Sequence, residues 1–283
     1  MVEPASYVAL HLYGAALPQL LSQAFSAVAL VPADDLLGRL RSVLTTLERE
    51  RLRTACQVAA LAFEEGKRHL RARLKETEAA ARFRAPLSIH GTGRNGALRA
   101  DGFTYCMSGP KAAQAHAAYA RTGTRELAAG DLVLIHCNSY VDGLWTDVTR
   151  TYCLGNPDER QRCLFEAVFA ARAAALAVIR PGVRGAEVDR AARTVLEERG
   201  FGGLFKHSAG HGVGFAAINH NAPPRLHPHS DDVLHAGMAC NVEPALYLDG
   251  YGGLRHCDVV LVSPTGAEIL TPFQATLKEL IVA

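Results

Sequence analysis

The sequence predicts an α+β domain made of two similar halves, and three observations carry that expectation. Two blocks in which helical segments precede strands follow one another along the chain. Within each block the apolar period changes from spacings of three and four to short continuous or alternating runs. Finally, 283 residues that are 49% hydrophobic and 20% charged form a globular composition, long enough to bury a core without disulfide staples.

The elements follow in order. Residues 1–37 read as a lead-in or the remnant of an amino domain, ending at the turn-like Val31-Pro32-Ala33-Asp34-Asp35; residues 38–283 read as the main domain. Between Leu36 and Arg82, Val43, Leu44, Leu47, Leu52, Ala55, Val58, Ala59 and Ala62 form the apolar stripe of one or two amphipathic helices. Asp131 to His136 is a short apolar run, as in a buried strand. Tyr140 to Cys153 is rich in β-favouring residues and pairs back through a turn at Asp142-Gly143. A helix follows Asn156-Pro157 and stops at Pro181-Gly182, and a second spans Val188 to Arg199 before Gly200. Strands return at Met238 to Leu248 and His256 to Val262, with a turn at Pro264-Thr265-Gly266.

Composition narrows the function classes. Thirty basic against 28 acidic residues give a net charge of +2 and no whole-chain case for nucleic-acid binding. Residues 39–99 hold 14 Lys and Arg against six Asp and Glu, a local excess that a solvated helix face accommodates. The seven cysteines are irregularly spaced without a CxxC pair, which fits a reducing compartment. No Lys or Arg precedes Arg39, as a signal-peptide n-region would require, and no apolar run approaches the ~20 residues of a membrane span. The reading is a cytoplasmic protein without a membrane anchor. Twelve histidines are the unusual count.

Several of those histidines fall where ligands could converge. His136 and Asp147 flank the hairpin, His211 sits within Gly210-His211-Gly212-Val213-Gly214, Glu243 precedes Pro244 in a strand, and Cys257 lies in the following one. Glycine on both sides of a histidine permits close approach of backbone and substrate.

Four motifs in this order resemble the pita-bread metallohydrolases, the family of methionine aminopeptidase, aminopeptidase P, prolidase and creatinase. They are Asp147-Val148-Thr149-Arg150-Thr151, Gly210 to Gly214, Gly237-Met238 followed by Asn241-Val242-Glu243-Pro244, and Arg255-His256-Cys257-Asp258. The resemblance covers residues 38–275 and implies a pita-bread fold with pseudo-twofold halves, whose curved antiparallel sheet carries two divalent ions on Asp, Asp, His, Glu and Glu. Position by position, Asp147, His211 and Glu243 match. His136 stands in place of the first Asp and Cys257 in place of the last, bridging Glu.

Both replacements remain ligands, but they change the charge. The family's carboxylates supply about −4 against two divalent ions, whereas Asp147 and Glu243 supply about −2, or about −3 with a Cys257 thiolate. The expected cofactor is one divalent ion, with two as the alternative, and zinc or iron suits this softer donor set. The resemblance also implies helper groups: His116, bordering the substrate; Arg255, which holds a carboxylate; and a histidine seven residues after His211. Position seven is Ile218, so His220, nine residues on, takes that place through a two-residue insertion.

The implied activity is hydrolysis of a C–N bond in a small peptide or amide of the Xaa-Pro aminopeptidase or prolidase type. Glu243 would accept a proton from metal-activated water, with His116 or His220 bonding the oxyanion or leaving group. The alternatives are metal-free creatinase-like chemistry and a catalytically silent module that binds protein or nucleic acid. Because the family's longer members carry an amino domain that joins a dimer interface, a homodimer is expected to complete the site.

Overall fold

A computed structural model describes residues 17–31, 33–116 and 122–283. It divides into two compact units, Met1–Ser42 and Val43–Ala283. Much of the expected lead-in, residues 1–16 and 32, lies outside the described residues. The remainder of the first unit contains two short helices, α1 (Leu17–Ala24) and α2 (Asp34–Ser42).

The second unit shows the α+β organisation expected from the sequence. Its first half opens with α3 (Thr46–Lys67) and α4 (Glu76–Gly91). Thr45 starts α3 by accepting the Glu48 amide on its hydroxyl, while the Glu48 carboxylate accepts the Thr45 amide at 2.7 Å, a reciprocal cap that satisfies two otherwise unpaired donors. The strands β1 (Ala100–Ser108), β2 (Leu132–Val141), β3 (Leu144–Trp145) and β4 (Val148–Leu154) follow. β2 pairs antiparallel with β1 and β4. The β2–β3 turn forms as expected: Asp142 and Gly143 both have positive φ, 45° and 98°, the pair of left-handed conformations a tight hairpin turn requires.

The second half repeats the plan with α5 (Glu159–Val178) and α6 (Gly185–Glu198). Then come β5 (Ala239–Val242), β6 (Ala245–Leu248), β7 (Gly252–Arg255), β8 (Asp258–Ser263) and β9 (Gly266–Ile269). The single strand expected from Met238 to Leu248 is two, because the chain leaves the ladder at Glu243-Pro244 and proline has no amide hydrogen to donate. A final turn, α7 (Leu277–Leu280), leads to β10 (Ile281–Val282), which pairs parallel with β4.

Helices cover one side of the first sheet. Leu52, Ala55, Val58 and Phe63 of α3 and Phe83 and Leu87 of α4 belong to the same buried cluster as Val133, Ile135 and Tyr152. The Phe63 and Phe83 rings meet edge to face at 5.4 Å, an orientation suited to the aromatic quadrupole. The two halves are stitched where β4 meets residues 255–257. Thr149 and Cys257 form an antiparallel bridge, and the Thr151 hydroxyl exchanges hydrogen bonds with the Arg255 backbone, both at 3.0 Å. Among the described residues no helix is long and apolar enough to cross a membrane.

Candidate metal centre

Strand pairing aligns the centre. Tyr105 of β1 lies opposite His136 of β2, His136 lies opposite Thr149 of β4, and Thr149 bridges to Cys257. Directly paired residues project to the same face of a sheet. The Tyr105 and His136 rings accordingly stack at 6.0 Å, and His136 Nδ1 lies 3.0 Å from Thr149 Oγ1. Asp147, two residues before Thr149, reaches the same place just ahead of β4.

The second half supplies its groups from interruptions in the sheet. His211 occupies a segment between glycines that cannot be replaced: a Cβ at Gly210 would collide with the Asn241 carbonyl, and one at Gly212 with the Pro223 carbonyl. Asn241 Oδ1 accepts the His211 amide at 2.6 Å, and His211 Nδ1 donates to the Gly212 carbonyl at 2.9 Å. That bond leaves Nε2 with the lone pair, 3.2 Å from the Asn241 amide nitrogen, 3.6 Å from Asp147 Oδ2 and 4.0 Å from Glu243 Oε1. Glu243 sits at the β5–β6 break, Arg255 ends β7, and Cys257 lies between β7 and β8.

Asp147, His211, Glu243 and Cys257 are all buried and converge. One ligand atom each from Asp147, Glu243 and Cys257 lies within 4.8 Å of the others, as do those of His211, His220 and Glu243. His136 adjoins the cluster with its Nδ1 3.6 Å from Asp147 Oδ1, but the same nitrogen lies 3.1 Å from Arg255 Nη2. A guanidinium only donates, so this imidazole nitrogen is the acceptor and His136 is neutral. Burial lowers the His136 pKa, and Arg255 lowers it further against the pull of Asp147.

Arg255 ties the centre together. Its Nε donates to Thr149 Oγ1 at 3.1 Å, and its Nη1 lies 3.7 Å from Glu243 Oε2. Burial works against its charge, but Tyr247, Glu243 and Asp147 more than compensate and hold its pKa above the ordinary value. Burial also disfavours the Asp147 carboxylate, yet His136, His211 and Arg255 hold its pKa below the usual range. Cys257 goes the other way: burial, then the Asp147 and Glu243 charges, push its thiol well up, and Sγ donates to the Asp147 carbonyl at 3.1 Å.

Residues 50–264 match metallopeptidase family M24. The chain is 32% identical over 244 residues to a Xaa-Pro dipeptidase of Pyrococcus furiosus, covering 86% of this chain and 67% of that protein. The chain belongs to metallopeptidase family M24. Among solved structures it is similar to an X-Pro aminopeptidase from Thermotoga maritima, with a TM-score of 0.82 and 27% identity over 94% of this chain and 72% of the other. It is also similar to dipeptidase PepE from Mycobacterium ulcerans, with a TM-score of 0.82 and 30% identity over 93% and 67% of the respective chains. The pita-bread fold expected from the motifs is thus the fold of this M24 member.

The donor set fits a divalent ion: His211, His220 and Glu243 offer ligand atoms within 4.8 Å of one another, and Asp147, Glu243 and Cys257 do the same. The His220 ring lies 4.8 Å from that of His211, edge to face. His116 gives its Nδ1 proton to the Ala113 carbonyl at 3.0 Å and lies 5.3 Å from the Tyr247 ring. Tyr247 and His207 were not singled out from the sequence. Tyr247 is fully buried on β6, and its hydroxyl donates to His207 Nε2 at 2.9 Å, because His207 Nδ1 is committed to the Ser208 carbonyl. The available signal was alternation from Glu243, which brings residue 247 to the same side of an extended chain.

Proposed function

We propose that this M24 protein is a metal-dependent hydrolase that cleaves the C–N bond of a small peptide, with Xaa-Pro dipeptides as its substrate class. The convergence of Asp147, His211 and Glu243 on one buried point carries the reading. The names of the relatives support the substrate class. Zinc or ferrous iron suits a centre that mixes imidazole with carboxylate, where harder ions favour all-oxygen sites.

A divalent ion bound there supplies Lewis acidity toward the scissile carbonyl and a water of lowered pKa. The residues of the chain do the rest. Glu243 accepts the water proton, and Arg255, 3.7 Å from its Oε2, keeps that carboxylate fixed in orientation. His211 is held by its Nδ1 bond to Gly212, so that the lone pair of Nε2 points inward. His116 is exposed and offers Nε2 as an acceptor, which suits an N–H of the substrate.

The test is hydrolysis of Ala-Pro beside Ala-Ala by metal-stripped protein reloaded with zinc, ferrous or manganese ions. Ala-Pro is expected to be cleaved, chelator to abolish the activity, and Glu243→Gln to lower kcat by ~10²–10⁴. Absence of turnover of either dipeptide with every metal would refute the reading.

A further inference from the structure

The two oxygens of Glu243 face different partners. Oε2 lies 3.7 Å from the Arg255 guanidinium, whereas Oε1 lies 4.0 Å from His211 Nε2. On the guanidinium side, Arg255 Nη2 also takes the lone pair of His136 Nδ1 at 3.1 Å; beside Asp147, Cys257 Sγ donates to the Asp147 carbonyl at 3.1 Å, with Asp147 Oδ1 3.6 Å away. The positions in which the sequence exchanges carboxylates for imidazole and thiol are therefore engaged with a protein cation and with a backbone acceptor. A metal ion on that side would face a fixed positive charge at close range.

The opposite side has a different composition. Ligand atoms of His211, His220 and Glu243 lie within 4.8 Å of one another, and Asp147 Oδ2 stands 3.6 Å from His211 Nε2. Two imidazoles and one glutamate make a set that holds catalytic zinc with a position left for water. His211 has the outer-shell partner such ligands require, its Nδ1 proton being donated to a main-chain carbonyl. His220 comes from the exposed segment two residues beyond the position implied by the motif spacing.

We infer that this chain binds a single divalent ion on His211, His220 and Glu243, with His220 as a metal ligand and the His136 that replaces the family's first Asp engaged by the Arg255 guanidinium instead of by a second ion. The charges agree. Two carboxylates less one guanidinium leave one net negative charge, which a dication carrying hydroxide balances. Two dications on the same groups would leave a large positive excess in a buried site. The inference rests on the metallopeptidase reading but concerns which side chains hold the ion.

The experiment uses the full chain, stripped of metal and titrated with cobalt(II) followed by visible and near-ultraviolet absorption. Wild type is expected to bind one cobalt per chain without a thiolate-to-cobalt band. His220→Ala should weaken binding by ~100-fold or more, since even outer-shell losses reach that range, while Cys257→Ser should leave affinity and spectrum unchanged. X-ray absorption on the zinc-loaded wild type gives an answer independent of any variant: two imidazoles and no sulfur are expected. A sulfur shell, a charge-transfer band that Cys257→Ser removes, unchanged affinity in His220→Ala, or a second tightly bound ion would each overturn the assignment. Protein that cleaves Ala-Pro but shows sulfur ligation refutes this assignment alone; protein with the expected ligation and no peptidase activity refutes only the functional reading.

Discussion

Two buried arginines lie on either side of the seam between β4 and residues 255–258, and their surroundings differ. Arg150 is fully satisfied. Its Nε donates to the Phe273 carbonyl, its Nη1 to the carbonyls of Thr149 and Cys257, and its Nη2 to Asp258 at 2.7 Å and to the Thr271 carbonyl. Arg172 binds the other oxygen of Asp258. Arg255, on the side that carries His136 and Glu243, is bonded to Thr149 and His136 but approaches Glu243 only at 3.7 Å. Closed networks fix a backbone, whereas incompletely paired groups keep capacity for a ligand. The alternation of Thr149 with Arg150, and of Cys257 with Asp258, sends consecutive residues of each motif to these two different tasks.

The comparison breaks most severely at Asp258. Asp258→Asn leaves the buried Arg150 and the half-buried Arg172 without their shared counter-charge, and removal of one partner of a buried pair destabilises by ~3–5 kcal/mol. Urea unfolding should show a loss of that size. A loss below about 1 kcal/mol would mean that the Arg150 network does not support the seam.

Acid should attack the same side next. His256 is buried with neither ring nitrogen hydrogen-bonded, and burial, followed by the Arg150 charge, lowers its pKa from 6.5 to about 4. Between those values the unfolded chain binds a proton that the folded chain refuses. Stability is therefore lost as pH falls from about 6.5 toward 4, by up to about 3 kcal/mol from this residue. Asp258 adds a second loss at lower pH, because Arg150 and His256 outweigh burial and hold its carboxyl well below 3.8. Urea unfolding at pH 7 and 4.5 should show a steeper decline for wild type than for His256→Asn; parallel declines would exclude His256 as a source.

Much of this arrangement was legible in the sequence, and the residues that were not share a cause. Period and capping marked the helices, and Asp142-Gly143 marked the hairpin, because those signals are local. The motifs placed Asp147, His211, Glu243, Arg255 and Cys257 together, and the structure converges them. What no spacing announces is the partner of a side chain across the fold: Arg255 meets His136 from 119 residues away. Tyr247 and His207 escaped for the same reason, each ordinary in its own segment and paired only by the approach of β6 to the loop before His211. The division at Glu243-Pro244 was concealed by apolar residues on both sides of the break.

Thr149 offers the finest test of the two sides, because one residue serves both. Its carbonyl accepts Arg150 Nη1 at 2.9 Å and the Cys257 amide at 3.0 Å. Its hydroxyl accepts Arg255 Nε and reaches His136 Nδ1. Thr149→Val retains the backbone and shape but removes the hydroxyl, so the Arg150 side remains closed while Arg255 loses an acceptor. The expected outcome is a modest destabilisation of about 1–2 kcal/mol, accompanied by a ~10–100-fold fall in metal affinity or peptidase activity. Thr149→Ser, which keeps the oxygen, should recover most of that fall. If Thr149→Val instead destabilises as strongly as Asp258→Asn, the two networks form one cooperative unit, and the division of labour between Arg150 and Arg255 is refuted.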